Sequence, residues 1–431
     1  MRFFYSLFIQ FYACLIKWAS SFSKKAKLWC SGRKNVFLFL EEKCAGKKNI
    51  IWFHCASLGE FEQGKPLMEK IKQEEENVTL LITFFSSSGF EIKKNDPVAE
   101  IIAYLPVDTP KNAKKFIQIV KPQKVFFVKY EFWYNYMNEL SESCIPFYYI
   151  SAIFRKNQYF FKSYGTWFLK QLKKCSYFFV QNEDSKTLLK QHGISNVIVT
   201  GDTRFDRVYA IPRQQYELDF ISSFKAEKKL LVAGSTWQPD EKLLSELFQK
   251  INPNYKLVIA PHWVEKNHIE QIKKQFCSFS TVCFSEKKEK DISNDEVLII
   301  DTIGMLSKIY KYADISYIGG AFKTGLHNIL EAAVFEKPIF FGPHFQKFNE
   351  AVELVKTGGA FSIKNAGEMM QKVHCFEENP STYEAVCEIC KNYVAQNLGA
   401  TDKIIKNLYL HAEKSHVVNH PPRYPAPIES L

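Results

Sequence analysis

From residue 49 onward, short and almost continuously apolar runs alternate with longer stretches of mixed polarity. The first series is "NIIWFHC" (49–55), "VTLLITF" (78–84), "KVFFV" (124–128), "PFYYI" (146–150), "YFFV" (177–180) and "NVIVT" (196–200). A second series follows as "KLLVAG" (229–234), "KLVIAP" (256–261), "STVCF" (280–284), "EVLII" (296–300), "ISYIG" (315–319) and "PIFF" (338–341). Runs that are apolar at successive positions predict strands buried on both faces, and the stretches between them predict helices. The expected fold class is therefore α/β, with two Rossmann-like doubly wound domains. Residues 209–228 break the rhythm with Pro212 and a polar run, which sets the expected domains at 35–212 and 213–414. From 415 on, Pro421, Pro422, Pro425 and Pro427 predict an exposed tail. Twin domains of this kind are expected to place a ligand cleft between their strand ends.

Ahead of the first strand, residues 3–16, "FFYSLFIQFYACLI", carry no charge before Lys17. That run is short of the ~20 residues a bilayer span needs. It lacks a good cleavage site for a signal peptide. An aromatic helix lying in a membrane interface fits better, with Lys17, Lys24, Lys25 and Lys27 near anionic head groups. A single span with a positive cytoplasmic flank is the alternative, and either places the body on the cytoplasmic side. Residues 1–34 are thus expected to be a membrane-associated helix and its basic flank.

Charge sharpens this picture. The formal net charge is +11, a value that could suggest nucleic acid. Residues 1–50 hold ten basic side chains against Glu41 and Glu42, which leaves only +3 for the rest. No basic stripe interleaved with aromatics appears there, so a nucleic-acid partner is not expected. The 11 cysteines are scattered, mostly through apolar runs, as in a reducing compartment. Cys387 and Cys390 form a lone CxxC, a weak signal for metal or redox chemistry.

Candidate chemistry gathers where strands give way to helices. In "WFHCASLGEF" (52–61) a strand ends in a Ser-Leu-Gly turn followed by Glu60. One reading makes Glu60 a first-turn helix residue favoured by the macrodipole. The other makes it a carboxylate at the ligand-binding end of the sheet. "AGSTWQPDE" (233–241) sets Ser235 and Thr236 just before a helix, as caps or as neighbours of phosphate-binding amides. In "GGAFKTGLHNILE" (319–331), Gly319 and Gly320 would let a ligand approach the backbone. His327 and Asn328 would open a helix carrying Glu331, whose carboxylate could accept ribose hydroxyls. "APHW" (260–263) ends a strand with His262, a position more often structural than catalytic.

The block from "DTIGMLSKIY" to "VKTGGA" (301–360) resembles the 3-deoxy-D-manno-octulosonic acid (Kdo) transferases of Gram-negative bacteria, which act on the lipid A precursor. "KLWCSGRK" (27–34), "ASLGE", "EFW" (131–133), "GDTRFD" (201–206) and "GSTW" follow in that family's order. The resemblance implies a GT-B glycosyltransferase, with acceptor site in the N-terminal domain and nucleotide-sugar site in the C-terminal one. By position, Glu60 matches the family's catalytic glutamate, proposed as general base, and Glu131 a second important acidic residue near the acceptor. Ser235, Thr236, Gly319, Gly320, His327, Asn328 and Glu331 match the CMP-holding region. The family's Pro-Arg-His-Pro is here "APHWVE", which lacks the arginine and leaves His262 as stand-in. Ser57 and Gly59 belong to the acceptor-side turn, and Ser88 to the acceptor loop "TFFSSSG".

This resemblance implies CMP-Kdo as donor and lipid IVA as acceptor, in lipopolysaccharide core biosynthesis at the inner membrane. Reaction would proceed with inversion. Charge on the departing CMP would be held by helix N-termini and His327. No DxD-like pair stands at a suitable strand end, so no metal or other cofactor is expected. Two rivals share the fold: a nucleotide-sugar 2-epimerase, which needs no apolar N-terminus, and a non-catalytic carbohydrate-binding envelope protein.

Overall fold

The computed structural model describes residues 1–286, 291–323 and 325–418, with side chains in the last helix described as far as Leu410. It contains two compact units. The first comprises Met1–Arg207 and the segment from Gly399, the second Val208–Leu398.

In the first unit seven strands run in parallel: β1 (Ile50–Cys55), β2 (Thr79–Phe84), β3 (Ile101–Tyr104), β4 (Lys124–Val128), β5 (Phe147–Ala152), β6 (Tyr177–Val180) and β7 (Val197–Val199). Their order is β3-β2-β1-β4-β5-β6-β7, so the winding direction reverses between β1 and β4. Every residue of β1 and β2 is buried, as the unbroken apolar runs require. In the second unit, β8 (Lys229–Thr236), β9 (Tyr255–Pro261), β10 (Thr281–Cys283), β11 (Val297–Ile299), β12 (Ile315–Ile318), β13 (Ile339–Phe341) and β14 (Ala360–Ser362) form a second parallel sheet. Its order is β10-β11-β9-β8-β12-β13-β14, with the reversal between β8 and β12. The doubly wound α/β class is as the alternation implied. β3 and β14 escaped the hydrophobic pattern. Both are short strands at a sheet edge, paired on one side only; β3 is nonetheless an apolar and wholly buried run, whereas β14 is three residues long with only Ala360 buried.

The unit boundaries differ from the expected ones. The seam falls after Arg207 rather than near 212, and the helix Ala400–Val418, assigned by sequence to the second domain as far as 414, belongs to the first unit. Its apolar side chains Ile404, Ile405 and Leu408 share a core with Ile51, Phe53, Phe61, Leu67 and Ile71. Asp206 of "GDTRFD" secures its start, accepting from the amides of Gly399 and Thr401 at 2.7 Å each and from the Thr401 hydroxyl at 2.6 Å. That carboxylate takes up amides a helix start otherwise leaves unpaired. The expected tail falls beyond residue 418, outside the described residues, apart from the helical backbone of 415–418.

The N-terminal helix Arg2–Ala19 lies against the first unit on one face: Ser6 is buried, and Arg2, Tyr5, Ile9, Ala13 and Ile16 are partly so. Its other face carries Phe4, Leu7, Phe8, Phe11, Leu15 and Trp18, all exposed. Among the described residues, no helix is long and apolar enough to cross a membrane. Arg33 of "KLWCSGRK" stacks 3.9 Å over Trp29 and donates to the carbonyls of Phe85 and Leu105 at 2.8 Å, which ties the following helices to the ends of β2 and β3. Cys390 of the CxxC is buried on helix Pro380–Gln396, its thiol donating to the Gly359 carbonyl at 3.2 Å. Burial pushes that thiol up to about 12, so it behaves as a packed side chain.

Candidate active site

Each sheet offers a ligand-binding position where its winding reverses, beyond the C-terminal ends of the two strands concerned. In the first unit these are the ends of β1 and β4. Ser57 leaves β1 and becomes the N-cap of helix Leu58–Glu74, which makes Glu60 its third residue. Glu60 Oε2 accepts from the Ser57 amide at 2.7 Å and from its hydroxyl at 2.9 Å. Oε1 accepts no hydrogen bond from the described residues. The carboxylate is therefore half-buried and folded back on its own cap. Burial and the neighbouring charge of Glu131 push it up to about 7, against the lowering effect of the Ser57 hydrogen bonds and of Lys129. A carboxylate that exchanges its proton near neutrality is suited to acid–base work.

Glu131 follows β4 by way of Lys129, whose φ of 67° is unusual for a residue with a side chain. Glu131 Oε2 receives the Trp133 indole N–H at 2.9 Å and lies 3.1 Å from His54 Nε2. On its other edge, His54 Nδ1 is 2.8 Å from the Thr83 hydroxyl, which in turn accepts from the Trp52 indole at 2.7 Å. Trp52, Thr83 and His54 thus form a buried polar chain ending on Glu131. The loop that follows β2 lies alongside, because the Ser86 amide donates to the Ala56 carbonyl at 2.8 Å. Ser88 is exposed there, 2.7 Å from the Ser86 hydroxyl, and Gly59 is exposed on the first helical turn.

In the second unit the reversal lies between β8 and β12. A register shift between Gly234 and Thr236 breaks the end of β8, and Ser235 sits there at φ 55°. The shift turns Thr236 inward. It is fully buried, and its hydroxyl donates to Glu241 Oε1 at 3.1 Å, so the expected donor contact from Thr236 is corrected to an internal one. Ser235 remains partly exposed. Gly319 and Gly320 also have an internal reason to be glycine. A Cβ at Gly319 would stand 2.4 Å from the Ser235 carbonyl, and Gly320 has φ 97°. Their small size serves strand-to-strand approach, whatever it does for a ligand.

Asp240 organises this loop. Wholly buried, it accepts from the Gly320 and Trp237 amides at 2.9 Å and from the Tyr317 hydroxyl at 2.7 Å. Trp237, His262 and His327 stack beside it, with ring centroids 4.8 Å (Trp237–His262) and 4.5 Å (His262–His327) apart. Trp237 Nε1 donates to His327 Nε2 at 3.1 Å. An indole nitrogen only donates, so the proton of neutral His327 lies on Nδ1. Burial and the adjacent His262 push His327 down to about 4, which leaves it neutral near pH 7. His327 is therefore a neutral Nδ1–H donor at this loop. Asn328 does not open a long helix. It donates to Glu331 Oε1 at 3.0 Å across the start of the single-turn helix Leu330–Ala333.

The family model described as "3-Deoxy-D-manno-octulosonic-acid transferase (kdotransferase)" matches residues 32–207, which span the whole Glu60–Glu131 site. The 3-deoxy-D-manno-octulosonic acid transferase of Aquifex aeolicus is 28% identical over 342 residues, covering 78% of this chain and 88% of that one. The enzyme of the same name from Rickettsia felis is 27% identical over 335 residues, covering 76% and 71%. In sequence the chain is thus similar to the 3-deoxy-D-manno-octulosonic acid transferases. Its two doubly wound units are of the GT-B type. A glycosyltransferase from Rickettsia africae superposes with TM-score 0.57 at 15% identity, covering 85% of this chain and 98% of that one. The UDP-GlcNAc 2-epimerase of Neisseria meningitidis does so with 0.60 at 17%, covering 84% and 99%. At such identities these likenesses speak for the fold alone.

Within these two loop regions, sequence reasoning passed over His54, Trp133, Trp237 and Asp240. His54 carried a signal, being the one imidazole inside an otherwise apolar strand run. Asp240 read as an ordinary first-turn acid, and only the approach of β12 shows what it holds. Among the described residues no cluster of His, Cys, Asp and Glu could hold a metal ion.

Proposed function

We propose that the chain transfers Kdo from CMP-Kdo to a sugar hydroxyl of the lipid A precursor lipid IVA, in lipopolysaccharide core biosynthesis, with Glu60 as general base. The observation that carries this reading is a carboxylate poised near neutrality at the sheet reversal of the family-matched region. As the acceptor oxygen bonds to the anomeric carbon of Kdo, Glu60 takes the hydroxyl proton. The bond from that carbon to the phosphate oxygen breaks on the opposite face, and CMP leaves with the electron pair. Configuration inverts. Ser57 holds the carboxylate through its amide and hydroxyl, leaving Oε1 for the proton. On the donor side Ser235, the glycine loop held by Asp240, and the neutral Nδ1–H of His327 supply hydrogen bonds to CMP. His262, Asn328 and Glu331 lie beside them, and no metal is required by this scheme.

The test is CMP release from CMP-Kdo with and without a tetra-acylated lipid A precursor, with and without chelator. Release is expected to depend on the acceptor and to persist with chelator. Epimerised product from a UDP-sugar, with no acceptor-dependent CMP, would replace this reading with the epimerase one.

The exposed apolar face of helix Arg2–Ala19 supports action at the cytoplasmic leaflet of the inner membrane. Phe4, Phe8, Phe11 and Trp18 project from it, and Lys17, Lys24, Lys25 and Lys27 are exposed nearby, as suits anionic head groups. The joint substitution Phe8→Ser and Phe11→Ser is expected to weaken binding to anionic vesicles roughly 100-fold, at about 1.5 kcal/mol per ring. Raising the salt should weaken wild-type binding as well. Co-sedimentation unchanged by either would contradict the assignment.

A further inference from the structure

We propose that the N-terminal helix is a working part of the acceptor site, its buried face holding the segment that presents Glu131 through Tyr5 and Asp108. The inference rests on the acceptor-side reading of Glu131 and adds to it two positioning residues.

Glu131 begins the segment Glu131–Tyr136, which leads into helix Tyr134–Glu142. That helix has no capping side chain of its own, because Trp133 stands at its N-cap. Asp108, from the loop after β3, supplies the cap. Its Oδ2 accepts from the Asn135 amide at 3.1 Å and its Oδ1 from the Tyr136 amide at 3.0 Å. Asp108 is buried, with 1% of its surface exposed, and its remaining strong donor comes from the N-terminal helix: Tyr5 Oη donates to Oδ2 at 2.7 Å.

Further contacts fix the same pair of elements. Arg2 Nε donates to Asn135 Oδ1 at 3.2 Å, and Asn135 Nδ2 to the Asp108 carbonyl at 2.7 Å and to Ser6 Oγ at 3.3 Å. The Tyr5 ring packs on Tyr134 at 5.6 Å between centroids. A second path runs from Tyr12 to Phe85 at 6.4 Å and from Phe85 to Trp133 at 4.9 Å, and Trp133 donates to Glu131.

A helix that served only to grip lipid would need no buried polar bonds to its own protein. Removing a carboxylate and a phenol from water is unfavourable unless both are satisfied in one geometry, so such a cluster specifies a single arrangement. The arrangement specified here is the docking of an apolar-faced helix together with the start of the Glu131 segment. Seating of the helix and placement of Glu131 are thus one structural event.

The test uses the full chain with Tyr5→Phe, which keeps the ring and removes the hydroxyl, and with Asp108→Asn as second variant. Hydrogen exchange of amides in 131–140 is expected to quicken about tenfold in both, roughly the loss of one buried hydrogen bond to a charged group, while β1 and β4 keep their protection. With detergent-dispersed acceptor, kcat should fall about five- to tenfold with KM for CMP-Kdo unchanged, and vesicle binding by Tyr5→Phe should persist. Unchanged exchange in 131–140 overturns the inference, as does a loss confined to vesicle binding. A wild-type chain that makes no Kdo transfer product overturns the proposed function instead, and the exchange result then still decides whether the helix holds the segment.

Discussion

Glu60→Gln is expected to lower kcat for Kdo transfer by about 10²–10⁴-fold, the range that one positioned general base supplies. Glutamine keeps the size of the side chain and its amide oxygen can still accept from Ser57, so helix Leu58–Glu74 should remain capped and the fold intact. The variant separates the two uses of this residue, since capping survives and proton transfer does not. The pH profile carries the same claim. A base works only when ionised, and Glu60 is pushed up to about 7. Below that pH the rate of the wild type should fall about tenfold per unit, and above it the rate should level off. Glu131 contributes to the upward shift through its charge, so Glu131→Gln should move the acidic limb to lower pH even as it lowers the maximal rate. A limb that stays in place, or that moves to higher pH, would show that another group titrates.

Asp240→Ala carries the second large effect, in stability and in donor binding together. It removes the acceptor of two buried amides and one phenol at once from a wholly buried position. Leaving those donors unpaired should destabilise the second unit by about 3–5 kcal/mol. Gly320 would lose its tether, so where the variant still folds, KM for CMP-Kdo should rise at least tenfold if about 1.4 kcal/mol of that loss falls on the donor loop. Asp240→Asn, which can still accept from part of the set, should do less on both counts. Thermal unfolding and donor titration measure the two effects. A shift below about 1 kcal/mol with unchanged KM would mean that the loop keeps its shape without this carboxylate.

The pattern of apolar runs was enough for the α/β class and for the strands of both sheet interiors, because a strand covered on both faces has to be apolar throughout. The run of β3, Ile101–Tyr104, is just as apolar and buried and was passed over, whereas the three-residue β14 left little trace. The helix Ala400–Val418 was misassigned for a related reason. Its amphipathic pattern says that one face is buried but not against which core, and its partner Asp206 lies far away in sequence. Glu60 was legible because a strand, a small-residue turn and an acid follow one another directly. Its fold-back onto Ser57 agrees with the plain first-turn helix reading, and its raised proton affinity comes from burial and from Glu131, which only the adjacency of β1 and β4 brings near. Thr236 misled because a register shift, invisible in "GSTW", turns its hydroxyl into the interior. The protonation of His327 was not legible, because it depends on burial and on His262 rather than on its own loop.

The most direct measurement is mass spectrometry of the glycolipid formed by the wild-type chain and by Glu60→Gln from CMP-Kdo and a tetra-acylated lipid A precursor at pH 8. The account predicts that the wild type adds Kdo to the precursor and that the variant, folded and still binding CMP-Kdo, adds almost none. Unmodified precursor with the wild type, or equal product from both proteins, would contradict it.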